Sequence, residues 1–411
     1  MKYILSFFVA WSFVLAARSQ RLEIHHIGVG DGDATLVIGI DVTKTGFMDT
    51  VTLLIDGQRS SRAGQEIWRY VQDSLKVLTP NRKKLDFLVL SHLHIDHYGG
   101  LISFIENLQD ANWKIDYVID RDGAGPTSKI NWGLDSSFKY ICVDDDVDLP
   151  TFTRTARRYL SLANDYNHST VFAGQDLFVG KNFTNLSMFC LASTGAALGK
   201  TPTGYEPTMF IRYNGNTGYY IPYNENDLSL VFNLGFKTFN YFLGGDIGGG
   251  RPYADGETPI ANFLASYFGQ GKFHYCGIKV SHHGSAHSTN DNFLKGVTPT
   301  MAVIPACLRT YSGTALPTQS TINALGNSSV KNNIKFCFEP YNPGTPASYW
   351  TPRNMQYYQD VSIKILSLPV AGQDINMQII TRRRRTDNYA YIEGPQISTI
   401  TCTQAHTSSF K

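Results

Sequence analysis

Apolar residues recur along this chain in two rhythms, which sort it into strands and helices. Residues 21–38 read as strand, glycine turn and strand, and Val51–Ile55 adds an apolar run that stops at Asp56-Gly57. From Gln65 to Leu78 the apolar positions Ile67, Tyr70, Val71 and Leu75 share one helical face. Leu85–Leu90 is a short apolar run of the kind that makes a buried strand, and Leu101, Ile102, Phe104 and Ile105 start a helix after Gly99-Gly100. Between 120 and 220 the periodicity weakens and Asp, Asn, Thr, Gly and Tyr dominate, which predicts an elaborated insertion that shapes a substrate mouth. Strands resume at Leu228–Phe232 and Asn240–Leu243, followed by a helix at Ile260–Phe268 and a strand at Gly277–Ser281. A further strand, Met301–Ile304, and a helix, Ser320–Leu325, precede a strand-rich tail from Val361 to Ile400. Strands alternating with helices predict an α/β fold.

Composition fits that pattern. With 23 Tyr, 24 Phe and 42% hydrophobic residues in 411 positions, the chain supplies a sizeable core and suits sheets. The formal charge is +2, and Lys2 and Arg18 lie in a leader-like segment; without them (2 − 2) it is zero, which offers no basic track for long nucleic acid. Lys2 is followed by an apolar run from Tyr3 to Ala17, about 15 residues against the roughly 20 of a spanning helix. Residues 1–19 therefore read as a signal peptide, and the mature chain is expected outside the cell and off the membrane. Residues 20–330 form the expected main domain, with 331–411 as a C-terminal β-rich extension packed on it.

Six cysteines, Cys142, Cys190, Cys276, Cys307, Cys337 and Cys402, are widely spaced and allow up to three disulfides in an oxidising compartment. Asn167, Asn182, Asn185 and Asn327 each begin an N-glycosylation sequon. Arg382–Arg385 reads as a solvated basic loop, and His25 and His26 on the first strand read as structural.

The chemistry concentrates at strand ends. His92, His94, Asp96 and His97 crowd the loop between the Leu85–Leu90 strand and the next helix. Asp246, His282-His283 and Asp56 also follow apolar strands. In an α/β sheet such ends gather on one edge, so these groups can converge. Histidine nitrogens with carboxylate oxygens suit zinc, and also manganese or iron.

His92-x-His94-x-Asp96-His97 resembles the HxHxDH signature of the metallo-β-lactamase superfamily. Ile27–Ala34, Leu54–Gly57, Gly244–Ile247 and Lys279–Ser285 further resemble its ComEC-like, competence-protein branch, in order over about residues 21–325. The resemblance implies a four-layered αβ/βα sandwich with a two-metal site, two zinc ions, at one edge. It places His92 and His94 on the first metal, Asp96 and His97 on the second, and Asp246 as a bridge. His282 completes the second site, while Asp56, His283 and Asn226 support from behind. The implied activity is hydrolysis of a phosphodiester, in nucleic acid or in a small head group, by hydroxide made available at the metals. Asp96 orients the nucleophile, and Lys279 or His287 stabilises charge on the substrate.

Two departures alter this expectation. Between the main motif and Asp246 the only histidine is His168, inside a sequon and without a strand beside it, and Tyr223–Leu228 resembles the Asn-rich stretch that the branch shows in that interval. Leu316 occupies a place where the branch has a histidine. The first metal is thus expected to have fewer protein ligands. Two other readings follow: a secreted binding or structural protein with a degenerate site, or an ester, lactone or amide hydrolase on the same fold.

Overall fold

Strand Arg21–Ile27 pairs antiparallel with both Thr35–Asp41 and Asp360–Ile365, so distant parts of the chain share one sheet. The computed structural model describes residues 20–29, 32–42, 49–79, 82–121, 154–181, 183, 185–199, 204–208, 211–214, 219–222, 224–250, 254–306, 309–311, 314–326, 334–338, 355–358, 360–382 and 394–403. The leader 1–19, much of the 120–220 stretch, Tyr223, Asn182, Asn327, Cys142, Cys307 and Arg383–Arg385 lie outside the described residues, as does the side chain of Cys337.

Two nine-stranded mixed sheets dominate the molecule. In the first, Asp49–Ile55, Lys84–Val89, Lys114–Ile119 and Asn167–Ser169 run parallel, and the remaining strands pair antiparallel. Helices α1 (Ser61–Leu78), α2 (Ile95–Asp110) and α3 (Arg154–Ala163) lie between successive parallel strands. In the second sheet Phe239–Leu243, Gly277–Lys279, Met301–Ile304, Ile334–Phe338 and Met355–Tyr358 run parallel. Its helices are α4 (Glu257–Phe268), α5 (Asp291–Val297) and α6 (Gln319–Gly326).

The period-2 alternation of strands builds the layers. On Thr35–Asp41, Val37 enters the core between the sheets, while Leu36, Ile38 and Ile40 meet α1 to α3. On the other sheet Phe232, Leu234 and Tyr241 face the first sheet, while Val231 and Phe242 face α4 and α5. Three apolar cores thus separate helix, sheet, sheet and helix layers, as the four-layered αβ/βα sandwich requires. Among the described residues no helix is long and apolar enough to cross a membrane.

Several boundaries differ from the sequence reading. Helix α1 starts at Ser61, ahead of Gln65, because Ser60 Oγ accepts the Ala63 N–H at 3.1 Å. Its first turn carries no large apolar residue, and Gly64 instead lets α2 approach: a Cβ there would stand 1.9 Å from the Gly100 carbonyl oxygen. Residues 225–228 form a 3₁₀ turn, and the strand expected at Leu228–Phe232 runs from Val231 to Phe236. Within 120–220, strand Asn167–Ser169 edges the first sheet, and Leu186–Ser193 pairs with Val231–Phe236 inside the second. His168 therefore does have a strand around it. Cys276 and Cys402 form a disulfide that ties the two sheets together, whereas Cys190 is buried and free.

Candidate metal centre

The parallel strands Asp49–Ile55 and Lys84–Val89 end side by side, and their ends carry Asp56 and the loop Ser91–His97. Asp56 sits at φ +60°, a left-handed conformation that a short polar side chain tolerates. There Oδ1 accepts the Ser91 N–H at 2.7 Å, and Oδ2 accepts from Ser91 Oγ at 2.8 Å. Asp56, expected to support the loop from behind, thus holds both the backbone and the hydroxyl of Ser91. Gly32, at φ +102°, presses against the same loop; a Cβ on it would stand 1.7 Å from the Asp96 carbonyl oxygen.

His92 and His97 are fully buried, while His94 and Asp96 are partly exposed at the mouth. His97 Nδ1 lies 2.8 Å from Asp56 Oδ2, and its Nε2 lies 3.2 Å from Asp246 Oδ2. His92 Nε2 is 3.0 Å from His94 Nδ1 and 3.9 Å from Asp246 Oδ2. Asp246 comes from the turn after Phe239–Leu243 in the second sheet, so the two sheets meet at this carboxylate.

His282 and His283 form a consecutive left-handed pair, at φ +48° and +51°. Such backbone strain persists only where the surroundings enforce it. Its effect is to aim the neighbouring rings differently. His283 Nε2 is 3.3 Å from Asp246 Oδ2 and 3.4 Å from Asp96 Oδ2. The Nε2 of His282 instead lies 3.2 Å from the side-chain amide of Asn226. The structure thus places His283 among the carboxylates, where His282 was expected, and brings Asn226 against His282.

Lys279 is also placed differently from expectation. Its ammonium is buried in an ion pair with Asp33 and donates to the Gly245 carbonyl at 3.2 Å. His287 lies in the turn beyond Gly284, half-buried, with its carbonyl accepting from Gly249, and belongs to none of the ligand groupings. His168 Nε2 lies 2.7 Å from Asp120 instead. His25 and His26 are held by Glu23, Tyr70, Thr35 and Tyr241 within the fold.

Asp33 is the residue that sequence reasoning missed. Its Oδ1 is 3.5 Å from His283 Nδ1, and it joins Asp246 and His283 in one buried grouping. Its signal was the Gly-Asp-Gly-Asp run ending at Asp33, a polar stretch between two apolar strands.

Burial opposes ionisation of His97, but Asp246 and Asp56 outweigh it and hold the ring well above its ordinary pKa. For His283 burial is likewise overcome, by Asp246 and Asp33. Burial works against Asp96 and Asp246 too, yet His283 and His97 keep both well below the usual carboxylate range. Burial, with the charges of His97 and His94, drives His92 the other way, well below its ordinary value.

Four carboxylates, Asp33, Asp56, Asp96 and Asp246, are thus gathered around the rings of His97 and His283 and the Lys279 ammonium. Groupings of His92, His97 and Asp246, and of Asp96, His97 and His283, bring their ligand atoms within 4.8 Å of one another. Asp246 Oδ1 and His283 Nε2 are buried without a hydrogen-bond partner. Buried polar atoms rarely stay unsatisfied. Such a set of ring nitrogens, whose protons a bound ion would displace, and carboxylate oxygens fits a divalent cation such as zinc. The third grouping with cysteines, His274, Cys276 and Cys402, does not, because its sulfurs are spent in the disulfide.

Residues 29–125 match the sequence profile of the metallo-beta-lactamase superfamily. No curated protein matches the chain. Among solved structures it is similar to the metallo-beta-lactamase fold protein YhfI from Bacillus subtilis, at 11% identity and a TM-score of 0.34, covering 69% of this chain and 85% of that one. It is also similar to a diphosphatase from the PhnP family, at 10% identity and a TM-score of 0.32, covering 82% and 94%.

Proposed function

We propose that this chain, whose residues 29–125 match the metallo-beta-lactamase superfamily profile and whose fold holds two mixed sheets, is an exported metal-dependent hydrolase of phosphodiesters. The observation that carries the reading is the buried convergence of His92, His97, Asp246, Asp96 and His283 at one sheet edge, with donor atoms left open.

Asp96, His97 and His283 would hold one cation, His92 and His94 another, and Asp246 would serve both. Zinc, manganese or iron bound there would polarise the scissile phosphoryl group and lower the pKa of water. The protein's own contribution is orientation. Asp56 and the Pro305 carbonyl stand behind His97 and His283, at 2.8 and 3.2 Å, and fix each ring by the nitrogen that faces away from the site, with Asp33 adding charge beside His283. Asp96, with a partly exposed side chain at the mouth, is placed to steer a water proton. The motif set from Ile27 to Ser285 supports a phosphodiester substrate, and the near-neutral charge favours a small head group over long nucleic acid. Export is supported by the apolar run Tyr3–Ala17 and by the Cys276–Cys402 disulfide, a bond that persists in oxidising compartments.

The test is metal analysis of the purified mature protein, joined to a screen of phosphodiester, ester, lactone and β-lactam reporters. At least one zinc, manganese or iron per chain is expected, with phosphodiester turnover that is lost in Asp96→Ala. Less than one metal per chain, with no reporter hydrolysed after metal addition, overturns the reading.

A further inference from the structure

The segment Glu225–Leu230 touches every loop that carries a candidate ligand. Glu225 Oε1 accepts the N–H of Leu93, the residue between His92 and His94, at 2.9 Å. Asn226 Nδ2 lies 3.2 Å from His282 Nε2. Ser229 Oγ accepts the N–H of Asp246 at 3.1 Å, and the Leu230 N–H donates to the Ser91 carbonyl at 2.9 Å. Three loops that come from different strands are therefore gripped by six consecutive residues.

The segment is itself anchored hard. Asn224 Oδ1 caps the turn by accepting the Asn226 N–H at 2.8 Å, and Asp227 accepts the Ala254 N–H. Arg121, which follows the first-sheet strand Lys114–Ile119, forks onto Glu225: Nε meets Oε1, and Nη2 donates to Oε2 at 2.8 Å. Both side chains are almost completely buried. A buried ion pair is a poor device for stability, since apolar replacements often serve as well; what it fixes well is position. Here the fixed position is that of a carboxylate oxygen under Leu93. The chain has already left its strand at that point, so the Leu93 N–H has no ladder partner.

We infer that Glu225, locked by Arg121, and its neighbours Asn226 and Ser229 are positioning residues that set the spacing of the three ligand loops. The inference rests on the metal-site reading above. It assigns these residues no contact with substrate: they act through the backbone of Leu93 and Asp246 and through the ring of His282, which precedes the candidate ligand His283 in the same turn. Holding this spacing is what lets donors from two sheets meet one cation without reorganisation.

The experiment measures zinc affinity by chelator competition on the folded full-length mature protein, with folding followed in parallel by circular dichroism. Three variants separate the arms. Arg121→Met combined with Glu225→Leu removes both charges and the Leu93 acceptor without stranding a buried ion. A rescue variant, Arg121→Met combined with Glu225→Gln, keeps an acceptor oxygen for Leu93 without stranding the guanidinium, and Asn226→Ala cuts only the His282 contact. The double variant is expected to fold and to lose zinc affinity by roughly 10- to 100-fold, the usual effect of groups that orient ligands. The rescue variant is expected to recover much of that loss, and Asn226→Ala to weaken zinc binding independently. Wild-type affinity in the folded double variant and in Asn226→Ala overturns the inference. If the double variant does not fold, Asn226→Ala decides alone. Absence of zinc binding by the wild type would instead overturn the metal reading itself.

Discussion

Asp56 Oδ2 lies 2.8 Å from His97 Nδ1, with both side chains buried. Because the carboxylate only accepts, Nδ1 carries the proton, and Nε2 is left to face Asp246. Sequence placed these residues 41 positions apart; parallel pairing of their strands brings them together.

Asp56→Asn tests that relationship. Asparagine also tolerates the left-handed backbone at this position, so the turn should survive. The loss of charge behind His97 should weaken divalent-cation binding by roughly 10- to 100-fold. Chelator competition measures this directly. Wild-type affinity in a folded Asp56→Asn protein would mean that His97 needs no such support.

Lys279→Met tests where the lysine acts. Burial opposes its charge, but Asp33 and Asp246 more than restore it, so the ammonium belongs to the buried network. Removing it strands Asp33, and breaking a buried pair from one side costs about 3–5 kcal/mol. Urea unfolding should show that loss. A variant of unchanged stability with a raised KM would instead return Lys279 to a substrate-facing role.

Much of the site was legible in the sequence because its ligands follow apolar strands. Val51–Ile55 and Leu85–Leu90 announce strands by composition alone, and their ends carry Asp56 and His92. Less legible was anything decided by backbone conformation. Whether His282 or His283 faces the carboxylates depends on two successive positive φ angles, which no residue type dictates. Nothing in the sequence pairs Arg121 with Glu225, 104 positions apart, yet the fold buries them against each other. Lys279 illustrates the same limit, since its partner Asp33 is 246 residues away.

The disulfide predicts a measurable share of stability. Cys276 and Cys402 are 126 residues apart, and the bond closes a long loop across the two sheets. Closing such a loop stabilises by roughly 2–5 kcal/mol, chiefly by restricting the unfolded chain. Cys276→Ser combined with Cys402→Ser should lose that amount in denaturant titration, and reduction of the wild type should reproduce the loss. Cys190 is buried, and burial pushes its thiol pKa up, so it should stay unreactive towards thiol reagents in the folded protein. Equal stability of the reduced and oxidised wild type would remove the disulfide from the account.

Glu257 predicts a pH dependence of stability. Burial at the start of α4 pushes its carboxyl up from 4.5 to about 7, against the N–H groups of Asn290 and Thr289 that favour the charged form. Between those values the folded chain keeps a proton that the unfolded chain has released. Glu257 therefore disfavours folding progressively as pH rises from about 4.5 to 7, with a total effect of about 3 kcal/mol above that window. Glu257→Gln has no proton to lose. Its NH₂ must face one of the two backbone N–H groups and cannot accept, whereas the protonated acid's hydroxyl oxygen still can, so its stability at low pH should fall below wild type. The difference should then shift in favour of the variant by about 3 kcal/mol as pH is raised through the window. Urea titrations of both proteins at pH 4.5 and 7.5 measure that shift. A difference that stays flat with pH would show that Glu257 titrates alike in the folded and unfolded chain.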